Sequence, residues 1–201
     1  MPWGITLRAA IKSIHFRLEY CIRHPAILLG FDMTQNATLI LRAALDGQAK
    51  TYRDIEIEAS KSLYKLAEAI VSAFGFDFDH AFGFYSGLTY TTMMHADPKY
   101  ELFADMGDAD RGVLGVKKTL VAQAFPAIGH TMIFLFDYGD DWHFRVRLTG
   151  TDKKIAKVRY PRVIATCGKA PAQYPDPDDP DEVKPTYGVN PLTGEKIYFG
   201  K

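Results

Sequence analysis

The sequence has few features that would place it in a biochemical class at once. It has only two cysteines, Cys21 and Cys167, and their wide separation excludes a closely spaced metal-binding pair. Reduced thiols in a cytoplasmic protein are the simplest interpretation. No uninterrupted apolar stretch reaches the length of a membrane span. Charged residues interrupt the apolar positions of the N-terminal segment, so we expect no signal peptide and no membrane partner.

An excess of charge of one sign is also missing. Lysine and arginine total 24 residues and aspartate and glutamate total 24, which leaves a net charge of zero. This balance does not indicate a globally basic nucleic-acid-binding protein, although a local basic patch stays open. The phosphate-binding pattern GxxxxGK[ST] does not occur, so no nucleotide cofactor is expected.

What the chain does have is apolar residues in regular patterns, with 47% hydrophobic and 13% aromatic residues over 201 positions. Residues 38–46 and 51–59 alternate apolar and polar side chains, which predicts two strands joined as an antiparallel hairpin after Asp46-Gly47. Residues 62–74 have helical spacing, with Ser60 or Ser62 as the cap and Gly75 as the end. The segment 80–86 predicts another strand, and 117–125 a short helix.

The N-terminal residues 5–23 have the pattern of an amphipathic helix. Its apolar stripe is Leu7, Ile11, Ile14, Leu18 and Cys21. Arg8, Lys12, Arg17 and Arg23 lie around that stripe and give the segment a positive excess. Packing on its own domain or on a second subunit is the simpler interpretation, and contact with a membrane surface or DNA is the alternative.

The most informative segment is FDYGDDW at 136–142. Three carboxylates, Asp137, Asp140 and Asp141, surround Gly139 between two alternating segments, 130–136 and 142–150. We expect a tight turn in which Gly139 takes a positive φ, arginines 145 and 147 neutralise charge, and Trp142 anchors the turn to the core. Carboxylates that repel one another need backbone N–H groups, cations or a metal ion nearby.

After residue 160 the composition changes. Seven prolines oppose long regular elements. The acidic residues Asp176, Asp178, Asp179, Asp181 and Glu182 form a run. We therefore expect an ordered loop to about Tyr174, followed by an exposed and irregular tail over 176–184.

Three segments together resemble the plasmid pRiA4b ORF-3-like family, also described as the MM3350-like fold. They are SLYKLAEAIVSAFGFDFDHAFGF at 62–84, FDYGDDW at 136–142 and YPRVIATCGKAPAQYP at 160–175. The resemblance implies an α+β fold, with a mixed or largely antiparallel sheet, helices packed on one face and an added N-terminal helix. It divides the chain into an extension at 1–35, the family domain at 36–175 and an acidic, proline-rich tail at 176–201. Some relatives are labelled as resolvase-like passengers of insertion elements.

Two groups of residues could carry chemistry. The first is the acidic turn with His143, and the second is Asp77, Asp79 and His80 just past the predicted helix. Each has a simpler structural explanation, as a hydrogen-bonded turn and as a capped helix exit. If the two groups converge, Asp137, Asp140, Asp141, Asp79 and His80 could hold a divalent cation such as Mg²⁺ or Ca²⁺.

Three functions follow from these observations. The first is a non-catalytic binding or interaction module of the cytoplasm, linked to mobile elements, because no nucleophile with its base can be identified. The second is a metal-dependent hydrolase or nuclease that uses the acidic turn. The third is a nucleic-acid-binding protein. Whether the chain is an enzyme stays open, its catalytic residues and partners are unknown, and a homo-oligomer formed through the N-terminal helix is one alternative.

Overall fold

Strands dominate the structure, a computed structural model that describes residues 36–174, 187–189 and 196–198. The strands are β1 Ala37–Leu45, β2 Tyr52–Glu58, β3 Phe82–Tyr85, β4 Lys99–Glu101, β5 Leu114–Gly115, β6 Thr131–Phe136, β7 Trp142–Lys153, β8 Arg162–Cys167, β9 Tyr187–Val189 and β10 Lys196–Tyr198. The helices are α1 Leu63–Ala73, α2 Tyr90–Met94, α3 Leu102–Met106 and α4 Val121–Ala124. Within these ranges no helix has the length and apolarity needed to cross a membrane.

Eight strands form one mixed sheet in the order β5-β4-β3-β6-β7-β1-β2-β8. Its pairs are antiparallel except for β4 and β5, which run parallel. The two predicted hairpins are confirmed, since Leu41 lies opposite Ile55 and Phe134 lies opposite Phe144. Alternation of apolar residues therefore located the strands at the centre of the sheet correctly. A separate two-stranded sheet joins β9 and β10.

The predicted α+β class is wrong, because the described chain is largely sheet. Only α1, at eleven residues, is longer than five residues among the described helices. The segment 117–125 forms just the four residues of α4. The loop expected after residue 160 contains β8, which pairs with β2 at the edge of the sheet. The predicted N-terminal helix and the tail segment 176–184 lie outside the described residues.

The longest of the described helices, α1, covers one face of the sheet. Ser62 caps α1 by accepting a hydrogen bond from the Lys65 backbone N–H at 3.4 Å. Apolar residues at helical spacing bury one side of the helix: Leu63, Leu66, Ala67, Ile70 and Val71. Gly75 follows the end of the helix with a φ of +77°, a conformation that glycine adopts without steric cost.

The core between α1 and the sheet is rich in aromatic rings. Phe144 packs on Phe74 with ring centroids 4.8 Å apart, and Phe84 stacks on Phe134 at 4.7 Å. All four rings are at most 3% exposed. Burial of this much apolar area is the main stabilising contribution, and it explains why the aromatic residues of 74–84 serve the core.

The second face of the sheet is covered over only part of its width. On β3 and β6 the side chains of Tyr85, Ile133 and Leu135 are buried together with Met93 of α2. On β7 and β1, by contrast, Arg147 is exposed and Arg42 is half-exposed. We call the uncovered part the open face, which carries Arg42, Asp54, Glu56, Arg145, Arg147 and Arg162. Such one-sided burial is common in antiparallel sheets.

Candidate functional site

The acidic turn connects β6 to β7 through Asp137–Asp141. Its ends are joined by a hydrogen bond from the Asp141 backbone N–H to the Asp137 carbonyl, at 2.6 Å. Asp137 and Asp141 have φ angles of 59° and 60°. The expectation that Gly139 takes the positive φ is wrong, because the two aspartates flanking the turn adopt that conformation instead. Aspartate is one of the few residues other than glycine that enter this region at modest cost.

Hydrogen bonds to its own carboxylate explain why Asp137 adopts this conformation. Its Oδ1 accepts hydrogen bonds from the backbone N–H groups of Gly139 at 2.9 Å and Asp140 at 3.3 Å. The side chain is only 8% exposed, so these bonds satisfy a largely buried anion. A Cβ added at Gly139 would lie 3.2 Å from the same oxygen. Close approach to this carboxylate, and not backbone strain, therefore limits substitution at Gly139.

His80 lies between the two predicted groups and brings them together. Its Nδ1 is 2.7 Å from Asp79 Oδ1, and its Nε2 is 3.6 Å from Asp137 Oδ2. The hydrogen bond with Asp79 and the charges of Asp137, Asp79 and Asp140 raise the pKa of His80 above its ordinary value. The same contact with His80 lowers the pKa of Asp79. When protonated, His80 places a cation between Asp79 and the acidic turn.

A loop that follows β8 completes this group. The Gln173 side chain accepts a hydrogen bond from the Asp77 backbone N–H at 2.6 Å and donates to Asp79 Oδ1 at 3.3 Å. The Tyr174 hydroxyl donates to Asp79 Oδ2, also at 3.3 Å. We call Asp79, His80, Asp137, Gln173 and Tyr174 the clasp, because they join three distant segments of the chain.

Trp142 secures the clasp to the core. Its ring packs on Phe76 with centroids 4.9 Å apart, and its indole N–H donates to the Gln173 carbonyl at 3.2 Å. The side chain is half-buried. One end of Trp142 therefore contacts apolar rings, and its polar end fixes the loop that carries Gln173.

The other side of the turn differs from the sequence prediction. His143 Nε2 lies 3.0 Å from Asp141 Oδ1, so a histidine accompanies this carboxylate as well. Arg145 pairs instead with Asp46 at 3.2 Å, and Arg147 lies on the open face opposite Arg42. The prediction that the two arginines neutralise the turn is wrong, because β7 carries their side chains away from it along the sheet.

A pair of tyrosines attaches the turn to the neighbouring strands. The hydroxyls of Tyr138 and Tyr85 are 2.9 Å apart, and Tyr85 donates to Glu101 at 3.1 Å. Burial raises the pKa of Tyr138 to about 12 and raises that of Tyr85 further. Both hydroxyls are therefore neutral near pH 7 and act as hydrogen-bonding groups.

The geometry decides what the predicted metal ligands can do. Asp79, His80 and Asp137 are adjacent, Asp140 is exposed beside them, and Asp141 faces His143. In the part of the chain that the structure describes, no group of three or more histidine, cysteine, aspartate or glutamate side chains is arranged to hold a metal ion. The arrangement instead places the His80 ring between the carboxylates of Asp79 and Asp137.

We expect the clasp to stabilise the fold most between pH 3.8 and 6.5, the ordinary pKa values of Asp79 and His80. Because the pKa of His80 is raised, its contribution is complete below 6.5 and is lost as the pH rises through the raised pKa. Because the pKa of Asp79 is lowered, its contribution is lost as the pH falls through that lowered pKa.

Urea unfolding of the wild type and of His80→Gln at a series of pH values measures this dependence. The difference in unfolding free energy should shrink above pH 6.5, the ordinary pKa of His80. A difference that stays constant from acidic to alkaline pH would show that His80 acts only through packing.

Sequence reasoning missed two contributions. Gln173 and Tyr174 were expected in an ordered loop, but their contacts with Asp79 depend on how β8 directs the chain and left no local signal. The second missed feature is the basic run from Lys153 to Arg162. It is visible in the sequence, because its ten residues include five cations and no carboxylate.

Comparison with known proteins identifies one family and one fold. A family model described as "Plasmid pRiA4b ORF-3-like protein" matches residues 38–176. The crystal structure of the protein of unknown function MM3350 from Methanosarcina mazei Go1 is similar, with a TM-score of 0.54 and 20% sequence identity. That match covers 67% of this chain and 71% of the other, and at this identity it concerns the fold alone. No match was found among curated proteins.

Proposed function

The chain belongs to the plasmid pRiA4b ORF-3-like family, and from the geometry of its fold we propose that it is a non-catalytic binding or interaction module. In this proposal the clasp is a structural element that fixes the acidic end of the sheet. Recognition then takes place on surfaces that the sheet presents to solvent.

The observation that carries this proposal is the engagement of the carboxylates by groups of the protein itself. Asp137 accepts two backbone N–H groups and faces His80. Asp79 contacts His80, Gln173 and Tyr174, and Asp141 contacts His143. A catalytic carboxylate or a metal ligand needs an accessible lone pair directed at its substrate or ion, whereas these lone pairs are directed at neighbouring residues.

Location and biological context form part of the same proposal. We place the protein in the cytoplasm because its two cysteines are far apart in sequence and Cys167 is a free thiol. The link to mobile elements is supported by the plasmid in the description of the family.

A metal screen separates this function from that of a metal-dependent hydrolase. We expect millimolar Mg²⁺ or Mn²⁺ to leave the thermal midpoint within about 1 °C of its value in EDTA, since a ligand raises stability only by binding the native state. The measurement is a thermal-shift assay on the wild type and on Asp140→Asn, together with hydrolysis of bis(p-nitrophenyl) phosphate.

Asp140 is the informative position because its carboxylate is exposed next to His80 and is the one most accessible to an added ion. A metal-dependent rise in the midpoint that disappears in Asp140→Asn, together with phosphodiester hydrolysis, would replace the binding module with the hydrolase. Glu68→Gln, an exposed carboxylate on α1, is the control for general charge effects.

A further inference from the structure

Three ion pairs on or beside the open face share an asymmetry that the net charge conceals, whereas Arg145 and Asp46 are both exposed, at 42% and 36%. Arg42 and Asp54 form a bidentate pair at 2.7 and 2.8 Å, with side chains 43% and 12% exposed. Arg162 and Glu56 are 41% and 3% exposed, and Lys154 and Glu58 are 37% and 17% exposed. In each of these three pairs the carboxylate is much less exposed than its cation, which lies on the outside. A ligand approaching this face therefore meets a layer of cations.

Unpaired cations extend this layer. Arg147 is exposed and lies directly opposite Arg42 across β1 and β7, so two cations are adjacent on this face. Lys153 is exposed at the end of β7, and Lys157 and Arg159 are exposed in the segment that connects β7 to β8 past the ends of β1 and β2. Within the described part of the chain, these four cations have no carboxylate partner.

Two guanidinium groups of the face, those of Arg42 and Arg162, are also held in place. Arg42 lies 3.9 Å from the centroid of the Tyr52 ring, and Arg162 lies 5.6 Å from that of Tyr160. Stacking on a ring and pairing with a buried carboxylate fix each guanidinium before any ligand arrives, which reduces the entropy lost on binding. The exposed carboxylates Asp46 and Asp152 lie near opposite ends of β1, away from its centre.

We propose that the open face and the basic segment 153–162 bind nucleic acid through its sugar-phosphate backbone. This inference rests on the proposed function as a binding module and names its partner. The exposed guanidinium groups of Arg147 and Arg159 can bind phosphate by paired hydrogen bonds, and the lysines supply long-range attraction. The exposed surface of four neighbouring strands, β7, β1, β2 and β8, offers such cations along the path of a chain of phosphates.

Fluorescence anisotropy with a labelled twenty-nucleotide oligothymidylate, the matching oligouridylate and a duplex of equal length tests the proposal, in EDTA at low salt. We expect saturable binding that weakens roughly a hundredfold between 50 and 200 mM salt, as for about five phosphate contacts. Arg147→Glu and Arg159→Glu should each weaken binding about tenfold, because both side chains are exposed and both variants should fold. Lys65→Glu, the same charge change on α1 across the sheet, should not.

Binding to either single strands or duplex supports the inference. Comparison of the three dissociation constants shows which form of nucleic acid is preferred. Absence of binding at 50 mM salt, an equal loss in Lys65→Glu, or equal competition by polyglutamate would overturn it. Gel electrophoresis of the recovered oligonucleotide distinguishes failure of the nucleic-acid proposal from failure of the non-catalytic function. If the protein simply does not bind, the oligonucleotide stays intact. Cleavage on adding Mg²⁺ would contradict the non-catalytic function instead.

Discussion

Replacement of Arg53 by methionine is expected to lower the free energy of unfolding by about 3–5 kcal/mol. The residue is 6% exposed and joins three parts of the fold. Its Nε donates to the Ala73 carbonyl at the end of α1 at 3.0 Å. One terminal nitrogen donates to the carbonyls of Tyr52 at 2.8 Å, Cys167 at 2.9 Å and Gly168 at 3.3 Å. Methionine fills a similar volume but leaves these carbonyls without their donor.

The geometry also indicates why lysine is a poor replacement for Arg53. The guanidinium carbon lies 4.6 Å from the centroid of Phe74, so the planar group stacks on a core ring while it donates in several directions. Arg53→Lys keeps the charge but lacks the fork, and we expect it to recover less than half of the lost stability. The carbonyls at the helix end carry the negative end of the helix dipole, which adds to the attraction.

Urea denaturation of Arg53→Met and Arg53→Lys measures these losses, with Arg147→Met as the matched control. Arg147 is exposed on the open face, so its replacement should change stability by no more than about 0.5 kcal/mol. A loss below about 1 kcal/mol in Arg53→Met would mean that water satisfies the carbonyls and that β8 is held mainly by its strand pairing.

The position of Arg53 illustrates what sequence could and could not predict. Alternation of apolar residues located β1, β2, β6 and β7, and helical spacing with Ser62 located α1, because these signals are local. The edge strand β8 was missed, since its residues are mostly exposed and show no apolar alternation. Its presence depends on pairing with β2 and on the buried arginine, which are both contacts between residues far apart in sequence.

In the candidate site, too, the local features could be predicted and the contacts between distant residues could not. The carboxylates of FDYGDDW and the pair Asp79 and His80 were identifiable from residue types, and the geometry brings these two groups together. Their partners Gln173 and Tyr174 come from a loop more than ninety residues beyond Asp79 in the chain. The sequence predicted a positive φ at Gly139. The positive φ occurs instead at Asp137, whose carboxylate accepts hydrogen bonds within the turn.

Net charge was the least informative property of this chain. It counts Asp54 and Glu56 equally with Arg42 and Arg162, although the carboxylates are buried and the cations are outside. An approaching ligand responds to the outer layer, so a neutral protein can present a strongly positive surface. The exposure of each partner in an ion pair determines which charge the surface presents, and only a structure supplies it. On this basis the open face is positive and the acidic turn is not.

Substitution of Gly168 by alanine is expected to destabilise the protein by about 2–5 kcal/mol, through two separate effects. Gly168 follows β8 with a φ of +73°, a conformation that costs an alanine roughly 1–2 kcal/mol. A Cβ would also lie 2.8 Å from the Lys50 carbonyl oxygen and 2.9 Å from Thr51 Cα. Both are backbone atoms of the β1–β2 connection, so relief of the clash requires the chain to move.

Gly47→Ala separates the two effects. Gly47 has a φ of +76° and no atom within 4 Å of the added Cβ, so this variant experiences the strain without the clash. Urea denaturation should give a loss of about 1–2 kcal/mol for Gly47→Ala and a larger one for Gly168→Ala.

Movement at Gly168 should also disturb the loop to Gln173, whose carbonyl accepts the Trp142 indole N–H. We therefore expect the tryptophan fluorescence of folded Gly168→Ala to change and that of Gly47→Ala to stay the same. Equal losses in the two variants, with unchanged fluorescence in both, would show that the connection after β8 yields without affecting the clasp.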